Sequence, residues 1–137
     1  MFGKLNHIGI YVSEEKAAID FYTGVLGGEH LFSIYNEGDG ERISMIKMGD
    51  YLVELIKPPE GAEGVAAAAA ATLNHFAIEV DDIEAAVRHI EKHGYEIEKE
   101  GIYHVPNFGD EKTNLNVAFF HGPNGERIEF FQILNGA

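Results

Sequence analysis

Cysteine is absent from the 137-residue chain, which excludes disulfides, thiolate zinc sites and cysteine nucleophiles together. Basic residues are scarce, because 10 lysines and arginines stand against 23 aspartates and glutamates, for a formal net charge of −13. Such an acidic surface repels phosphate backbones, so we expect no nucleic-acid partner. The chain also lacks a bulky apolar run of membrane-spanning length and a signal-peptide pattern at its start. We therefore expect no membrane partner and a cytoplasmic location.

The most informative feature of the sequence is an internal repeat. Residues 5–12 read LNHIGIYV and residues 73–80 read LNHFAIEV, with the same Leu-Asn-His start and the same alternation of apolar residues. A helical pattern and a glycine stop follow each segment. Because a repeat of this kind decides the fold, we predict two βαβββ modules at 1–57 and 73–137. A linker rich in glycine and alanine joins them at 58–72.

Each module is predicted to contain one amphipathic helix. In the first module Ser13 is the expected N-cap, and the glycine pair at 27–28 is the expected stop. In the second module Asp81 and Glu84 resemble a capping box, and Gly94 is the expected stop. Apolar residues recur at helical spacing between these signals, so one face of each helix should be buried.

Short runs of β-forming residues, separated by turn residues, follow each helix. The predicted strands of the first half are 30–36, 42–48 and 51–57. Those of the second half are 95–100, 115–121 and 126–133, with a long loop at 101–114.

A histidine and a glutamate stand at equivalent places in the two halves. Side chains alternate across a strand, so His7 and His75 should point away from the face that packs under the helix. Glu54 and Glu129 each lie among apolar residues in the last strand of a half, where an ionised carboxylate loses hydration unless it gains a partner. Solvent, or Arg127, would satisfy one glutamate alone. The repetition of the pattern favours a divalent-metal site with two imidazoles and two carboxylates.

These segments resemble the vicinal-oxygen-chelate superfamily of glyoxalases, bleomycin resistance proteins and extradiol dioxygenases, and its glyoxalase-I-like members in particular. The resemblance covers essentially the whole chain, and its carriers are LNHIGIYV, IDFYTGVLGG, YLVELIK, LNHFAIEVDDIEAAV and AFFHGPNGERIEFFQ. It implies an α+β fold in which residues 1–137 form one unit, with the two βαβββ modules building a curled eight-stranded mixed sheet and a metal-binding cleft. The ligands it implies are His7, Glu54, His75 and Glu129. It also implies a homodimer with the site between modules.

The resemblance further implies a metal-dependent lyase or isomerase, similar to lactoylglutathione lyase, that acts on a small oxygenated substrate through a metal-bound enediolate. Nickel, zinc, cobalt or manganese would serve as the cofactor. Glu129 is the expected base, with Glu54 second. An arginine that bacterial glyoxalase I enzymes use for glutathione is not found near Gly9 and Tyr11, which leaves the thiol open.

Three alternatives stay open. A metal-dependent epimerase is similar, although methylmalonyl-CoA epimerases usually carry glutamine where Glu54 stands. An extradiol dioxygenase needs two histidines and one carboxylate, so a fourth ligand argues against it. Non-enzymatic sequestration of a cationic drug would suit the net charge of −13.

Overall fold

The chain divides into two compact units, Met1–Thr72 and Leu73–Ala137. The residues described by the computed structural model are 6–38, 40–62, 73, 75–108 and 113–134. Most of the linker predicted at 58–72 lies outside them, so its assignment stays a prediction. In the described part of the chain, no helix combines the length and the apolar character that crossing a membrane requires.

The first unit has the predicted βαβββ order. Its elements are β1 (His7–Tyr11), α1 (Glu15–Asp20), a π-helical continuation of α1 (Phe21–Val25), β2 (Glu29–Asn36), β3 (Glu41–Met48) and β4 (Tyr51–Lys57). The strands lie side by side in the order β1-β4-β3-β2. The first and last strands of the unit, β1 and β4, are neighbours in the sheet and run parallel. The pairs β4–β3 and β3–β2 are antiparallel.

The second unit repeats this topology. Its elements are β5 (Phe76–Glu79), α2 (Ile83–Lys92), β6 (Tyr103–Phe108), β7 (Thr113–His121) and β8 (Arg127–Ile133). The strand order is β5-β8-β7-β6, with β5 parallel to β8. The duplication inferred from the two Leu-Asn-His segments is therefore confirmed in the arrangement of the strands.

Within the described residues, each unit has a four-stranded mixed sheet, which fits the predicted α+β fold of two βαβββ modules. In each sheet the two edge strands are the first and second strands of the module, β1 and β2 in one and β5 and β6 in the other. The two βαβββ modules are confirmed, and the metal-binding cleft stays a prediction.

The strands of the second half differ from the prediction in one place. The segment 95–100 contributes a single bridge, between Ile97 and Phe120. The strand β6 lies instead within 101–114, which was predicted to be a loop. Its sequence contains Pro106, and its pairing with β7 shifts register along its length. Proline and register shifts are tolerated on an edge strand, and both weaken the sequence pattern by which a strand is recognised.

The helix caps also lie one residue later than predicted. The helix α1 is preceded by Glu14, whose side chain makes no capping bond, rather than by Ser13. The cap of α2 is Asp82 rather than Asp81, because its carboxylate accepts a hydrogen bond from the backbone N–H of Ala85 at 3.1 Å. Adjacent acidic and polar residues offer two candidate caps, and only the path of the chain entering the helix selects one.

In each unit the helix packs on one face of the sheet, and the apolar core lies between them. The first helix contacts β3 and β4, and the second contacts β7 and β8. The largest fully buried side chains of these helix-facing cores include Tyr22, Ile46, Leu55, Ile83, Ile90, Phe120 and Ile128. Burial of each such side chain contributes about 1.5–3 kcal/mol. Since Leu55 faces the helix, its neighbour Glu54 faces the other side of the sheet.

The predicted glycine stop after the first helix consists of two residues with different roles. Gly27 has φ of +78°, a left-handed conformation that glycine adopts without strain and that ends the helix as predicted. Gly28 donates its backbone N–H to the carbonyl oxygen of Tyr22 at 2.8 Å. A Cβ at Gly28 would lie 2.8 Å from that same oxygen and 2.6 Å from the sulfur of Met48. The chain therefore requires glycine there for space.

We expect Gly28→Ala to lower the free energy of unfolding by about 1–3 kcal/mol, because the backbone oxygen in the way has no rotamer by which to move. Gly24→Ala is the matched control, since a Cβ at Gly24 meets nothing within 4 Å. It should leave stability unchanged or raise it by up to about 1 kcal/mol. Urea unfolding of both variants measures the difference, and equal stabilities would contradict the packing argument.

Candidate metal centre

In the first unit, His7 and Glu54 lie side by side on the sheet face that points away from the helix. The parallel register of β1 and β4 places Gly9 opposite Glu54, and His7 projects to the same face two residues earlier. The Nε2 atom of His7 lies 3.6 Å from Oε2 of Glu54. A Cβ on Gly9 would lie 3.8 Å from Oε1 of Glu54, an ordinary contact, and 3.2 Å from Cδ1 of Ile56, which is tighter.

The second unit has the same arrangement. Ala77 lies opposite Glu129 in the parallel register of β5 and β8, and His75 precedes Ala77 by two residues. The Nε2 atom of His75 lies 3.2 Å from Oε1 of Glu129. Glu129 is the more shielded of the two glutamates, with 13% of its side chain exposed against 20% for Glu54. Both pairs combine a half-exposed imidazole with a largely covered carboxylate.

The orientation of the His7 ring fits a cation beside Glu54. Its Nδ1 lies 2.8 Å from the side-chain oxygen of Asn6, a contact that favours the tautomer with the proton on Nδ1. In that tautomer the lone pair of Nε2 faces the carboxylate of Glu54, and a cation could bind both atoms. Neutral imidazole nitrogen and carboxylate oxygen are also common ligands of zinc, manganese and nickel ions.

The structure brings the four predicted ligands together as two pairs, one in each unit. Within the described residues of either unit, no group of three or more histidine, aspartate or glutamate side chains is close enough to hold a metal by itself. The resemblance implied a centre with one pair from each half, and that centre stays a prediction.

A second ionic group lies on the same face of the second sheet and was not identified from the sequence. Arg127 donates from Nε and Nη2 to the two carboxylate oxygens of Glu98, at 2.9 and 2.8 Å. The Nε2 atom of His121 lies 2.8 Å from the same carboxylate. The pKa of Glu98 is lowered to about 2, chiefly by the hydrogen bonds from Arg127 and also by His121, against the opposing effect of burial.

The sequence offered one relevant signal, namely that Arg127 shares a strand face with Glu129. The structure pairs Arg127 with Glu98 instead, 29 positions away in sequence. Spacing within one strand indicates which residues share a face, but it carries no information about a partner from a distant segment. The guanidinium also covers the ring of Phe119, with its carbon 3.8 Å from the ring centroid.

A cavity of about 250 Å³ opens beside this ionic group. Its lining residues are Glu98, Glu100, Gly101, Tyr103, Phe119 and Arg127. Phe119 connects the cavity to the predicted ligands, because it lies opposite Glu129 in the register of β7 and β8 and its ring meets that of His75.

The corresponding face of the first sheet is apolar and exposed. Tyr11 lies on this face two residues beyond Gly9, and 51% of it is exposed. Phe32 and Ile34 of β2 lie on the same face, at 48% and 51% exposure. Exposed apolar groups of this size commonly mark a surface that binds a ligand or another protein.

Comparison with known proteins identifies relatives along almost the whole chain. The sequence profile of the Glyoxalase/Bleomycin resistance protein/Dioxygenase superfamily matches residues 4–130. The uncharacterized Escherichia coli protein YaeR is 29% identical over 130 residues, which is 94% of this chain and 95% of YaeR. Human mitochondrial methylmalonyl-CoA epimerase is 30% identical over 94 residues, which is 66% of this chain and 53% of the epimerase.

Solved structures share the fold at lower identity. A glyoxalase family protein from Enterococcus faecalis superposes with a TM-score of 0.75 at 24% identity, covering 95% of this chain and 98% of that protein. Glyoxalase I from Leishmania major gives 0.71 at 23% identity, covering 96% and 87%. The fosfomycin resistance protein FosX from Listeria monocytogenes, in complex with Mn(II) and sulfate, gives 0.69 at 13% identity, covering 96% and 93%. These likenesses establish the fold.

We expect Glu98→Gln to destabilise the protein in a pH-dependent way. The folded-state pKa of Glu98, about 2, lies below the ordinary value of 4.5, so the charged carboxylate stabilises the fold fully above pH 4.5. That contribution declines as the pH falls from 4.5 towards 2. The variant should lose about 1 kcal/mol at pH 7, and its difference from wild type should shrink at pH 3. Urea unfolding at both pH values, with the exposed Glu96→Gln as control, tests this; a difference that does not change with pH would refute it.

Proposed function

Because the chain belongs to the Glyoxalase/Bleomycin resistance protein/Dioxygenase superfamily, we propose that it is a metal-dependent lyase or isomerase of the glyoxalase type. Its reaction removes a proton from a carbon next to an oxygen-bearing carbon of a small substrate. The observation that carries the proposal is the duplicated pair: in both units a histidine lies next to a glutamate, in the same register and on the sheet face opposite the helix.

His7, Glu54, His75 and Glu129 would hold a divalent nickel, zinc, cobalt or manganese ion. Such an ion polarises a substrate carbonyl and stabilises the negative charge that develops on its oxygen atom. The manganese in the FosX structure supports a divalent cation as the partner of this fold. The approach of Nε2 of His7 to Oε2 of Glu54, at 3.6 Å on the same sheet face, supports a cation at that position in this chain.

Glu129 is the proposed base, with Glu54 as the second candidate. Its side chain is the less exposed of the two glutamates, so water competes less for its oxygen atoms. It lies opposite Phe119, within the apolar face formed by Val117, Phe119 and Phe131. The proton would pass from the substrate carbon to a carboxylate oxygen of Glu129 and return to the neighbouring carbon, which completes an isomerisation.

We propose that the apolar face around Tyr11, Phe32 and Ile34 contacts a small organic substrate. Part of the same face would contact a second copy of the chain. The proposal includes a homodimer with the site between modules, and the cytoplasmic location expected from the sequence.

An epimerase is the second candidate, and the similarity to human methylmalonyl-CoA epimerase over 94 residues favours it. Both reactions begin with removal of a proton beside a carbonyl, so they require the same base. They differ in the return of the proton, which an epimerase delivers to the other face of the same carbon. The identity of the substrate that exchanges its proton distinguishes them.

The first test measures metal binding. Protein purified without chelator should contain a divalent metal, and titration calorimetry with Zn²⁺, Ni²⁺, Co²⁺ and Mn²⁺ should show a site that Glu54→Gln and Glu129→Gln each weaken at least about tenfold, or about 1.4 kcal/mol. Glu91→Gln on the exposed surface of α2 is the matched control.

His93→Ala serves as a second control for metal bound at the surface. His89 and His93 form an exposed pair with ring centroids 4.8 Å apart, and two imidazoles at a surface can bind a metal ion. A wild-type protein without metal affinity, or glutamate variants that bind as tightly as wild type, would overturn the metal centre. Tight binding of a bleomycin-type drug by metal-free protein would then favour sequestration.

The second test follows proton removal directly. In D₂O, proton NMR should show loss of the substrate C–H signal for either the thiol adduct of a 2-oxoaldehyde or methylmalonyl-CoA. Glu129→Gln should slow this exchange by about 10²–10⁴-fold, the usual contribution of a general base, while Glu91→Gln should not. Exchange that continues unchanged in Glu129→Gln would assign the base elsewhere, with Glu54→Gln as the next variant. Oxygen uptake with a catechol would indicate a dioxygenase instead.

A further inference from the structure

Three contacts in series connect Glu98 to the ring of His75. Glu98 accepts two hydrogen bonds from Arg127, at 2.9 and 2.8 Å. The guanidinium of Arg127 lies over the ring of Phe119, 3.8 Å from its centroid. The ring of Phe119 meets that of His75 nearly perpendicularly, at 85° and 5.4 Å between centroids. The far end of this series is a residue of the proposed metal centre.

We propose that Arg127 is a positioning residue for His75, acting through Phe119, and that Glu98 fixes Arg127 for this role. The expected effect on metal affinity rests on the proposed function. The effect on the orientation of the His75 ring rests only on the contacts described above.

The geometry favours a rigid support. A guanidinium bound through two nitrogens to one carboxylate is fixed in its plane as well as in position. A planar group at 3.8 Å covers one face of Phe119 and limits rotation of its ring. Because the ring is 8% exposed and contacts His75 nearly perpendicularly, a limit on Phe119 also limits the tilt of the imidazole.

The position of the series on the sheet connects it to the ligands. Phe119 lies directly opposite Glu129, and Arg127 precedes Glu129 by two residues on the same face of β8. Phe119 and Arg127 therefore lie beside both members of the His75–Glu129 pair. Groups that orient metal ligands from behind typically change metal affinity by roughly 10–100-fold when they are removed.

In the first unit, other residue types stand at the equivalent positions. Met45 lies opposite Glu54, and Leu52 stands two residues before it, where the second unit has Phe119 and Arg127. The Nδ1 atom of His7 lies 2.8 Å from the side-chain oxygen of Asn6.

The test uses the full chain and the variants Arg127→Lys and Phe119→Leu, with Mn²⁺ and Zn²⁺ as probes in titration calorimetry. Lysine keeps the charge and loses the two-point bond to Glu98, and leucine keeps an apolar side chain and loses the ring. Each variant should bind the ion roughly 10–100-fold more weakly than wild type. Phe119→Tyr, which keeps the ring, should retain most of the affinity.

The matched control is Arg42→Lys, which alters an arginine–glutamate pair with Glu15 on the opposite face of the first sheet from Glu54. It should lower the thermal midpoint of metal-free protein as Arg127→Lys does, yet leave the affinity for Mn²⁺ unchanged. If Arg127→Lys and Phe119→Leu lower the midpoint and leave metal affinity at the wild-type level, their role is only structural and the proposal is wrong.

A second readout needs no metal. In carbon–proton NMR spectra of the metal-free protein, the ring signals of His75 should move in Phe119→Leu and Arg127→Lys, and those of His7 should not. If wild-type protein binds no ion, the proposed function fails while these signals still decide the positioning role. Unchanged His75 signals in both variants would overturn it.

Discussion

The candidate site depends on one constraint, the parallel pairing of the first and last strands in each unit. That pairing places Gly9 opposite Glu54 and Ala77 opposite Glu129, so the histidine two residues earlier comes to within 3.6 or 3.2 Å of the carboxylate. A shift of one residue in either register would send the histidine or the glutamate to the helix face. Every functional inference for this chain follows from that juxtaposition.

The electrostatics of the two histidine–glutamate pairs supports the proposed cation. The chain has an excess of acidic residues, and its carboxylates differ in how they are neutralised. Glu98 is hydrogen-bonded to Arg127, whose permanent positive charge lowers the pKa of the carboxyl group. The bond joins two segments that are distant in sequence. Glu54 and Glu129, which are largely covered, contact imidazoles instead. A neutral imidazole brings no charge to a carboxylate, so the proposed divalent ion would supply the positive charge that each pair lacks.

Duplication accounts for the similarity of the two units, and divergence accounts for their differences. Strand order, the parallel pair and the position of the helix are the same in both. The side chains around each pair are not, because the first unit presents exposed aromatic and aliphatic groups and the second presents Phe119, Arg127 and a cavity. The two units therefore share the histidine–glutamate pair and differ in the side chains around it.

The sequence by itself determined the two modules, their βαβββ order, the helix-ending glycines and the faces on which His7, Glu54, His75 and Glu129 lie. It could do so because alternation, helical spacing and glycine conformations are local properties that a repeat makes visible twice. Only the tertiary structure decided that the strands form two sheets of four, that the edge strand β6 contains Pro106, and that Arg127 pairs with Glu98. These features arise from contacts between segments far apart in the chain, and no local pattern of residues encodes which distant partner a side chain meets.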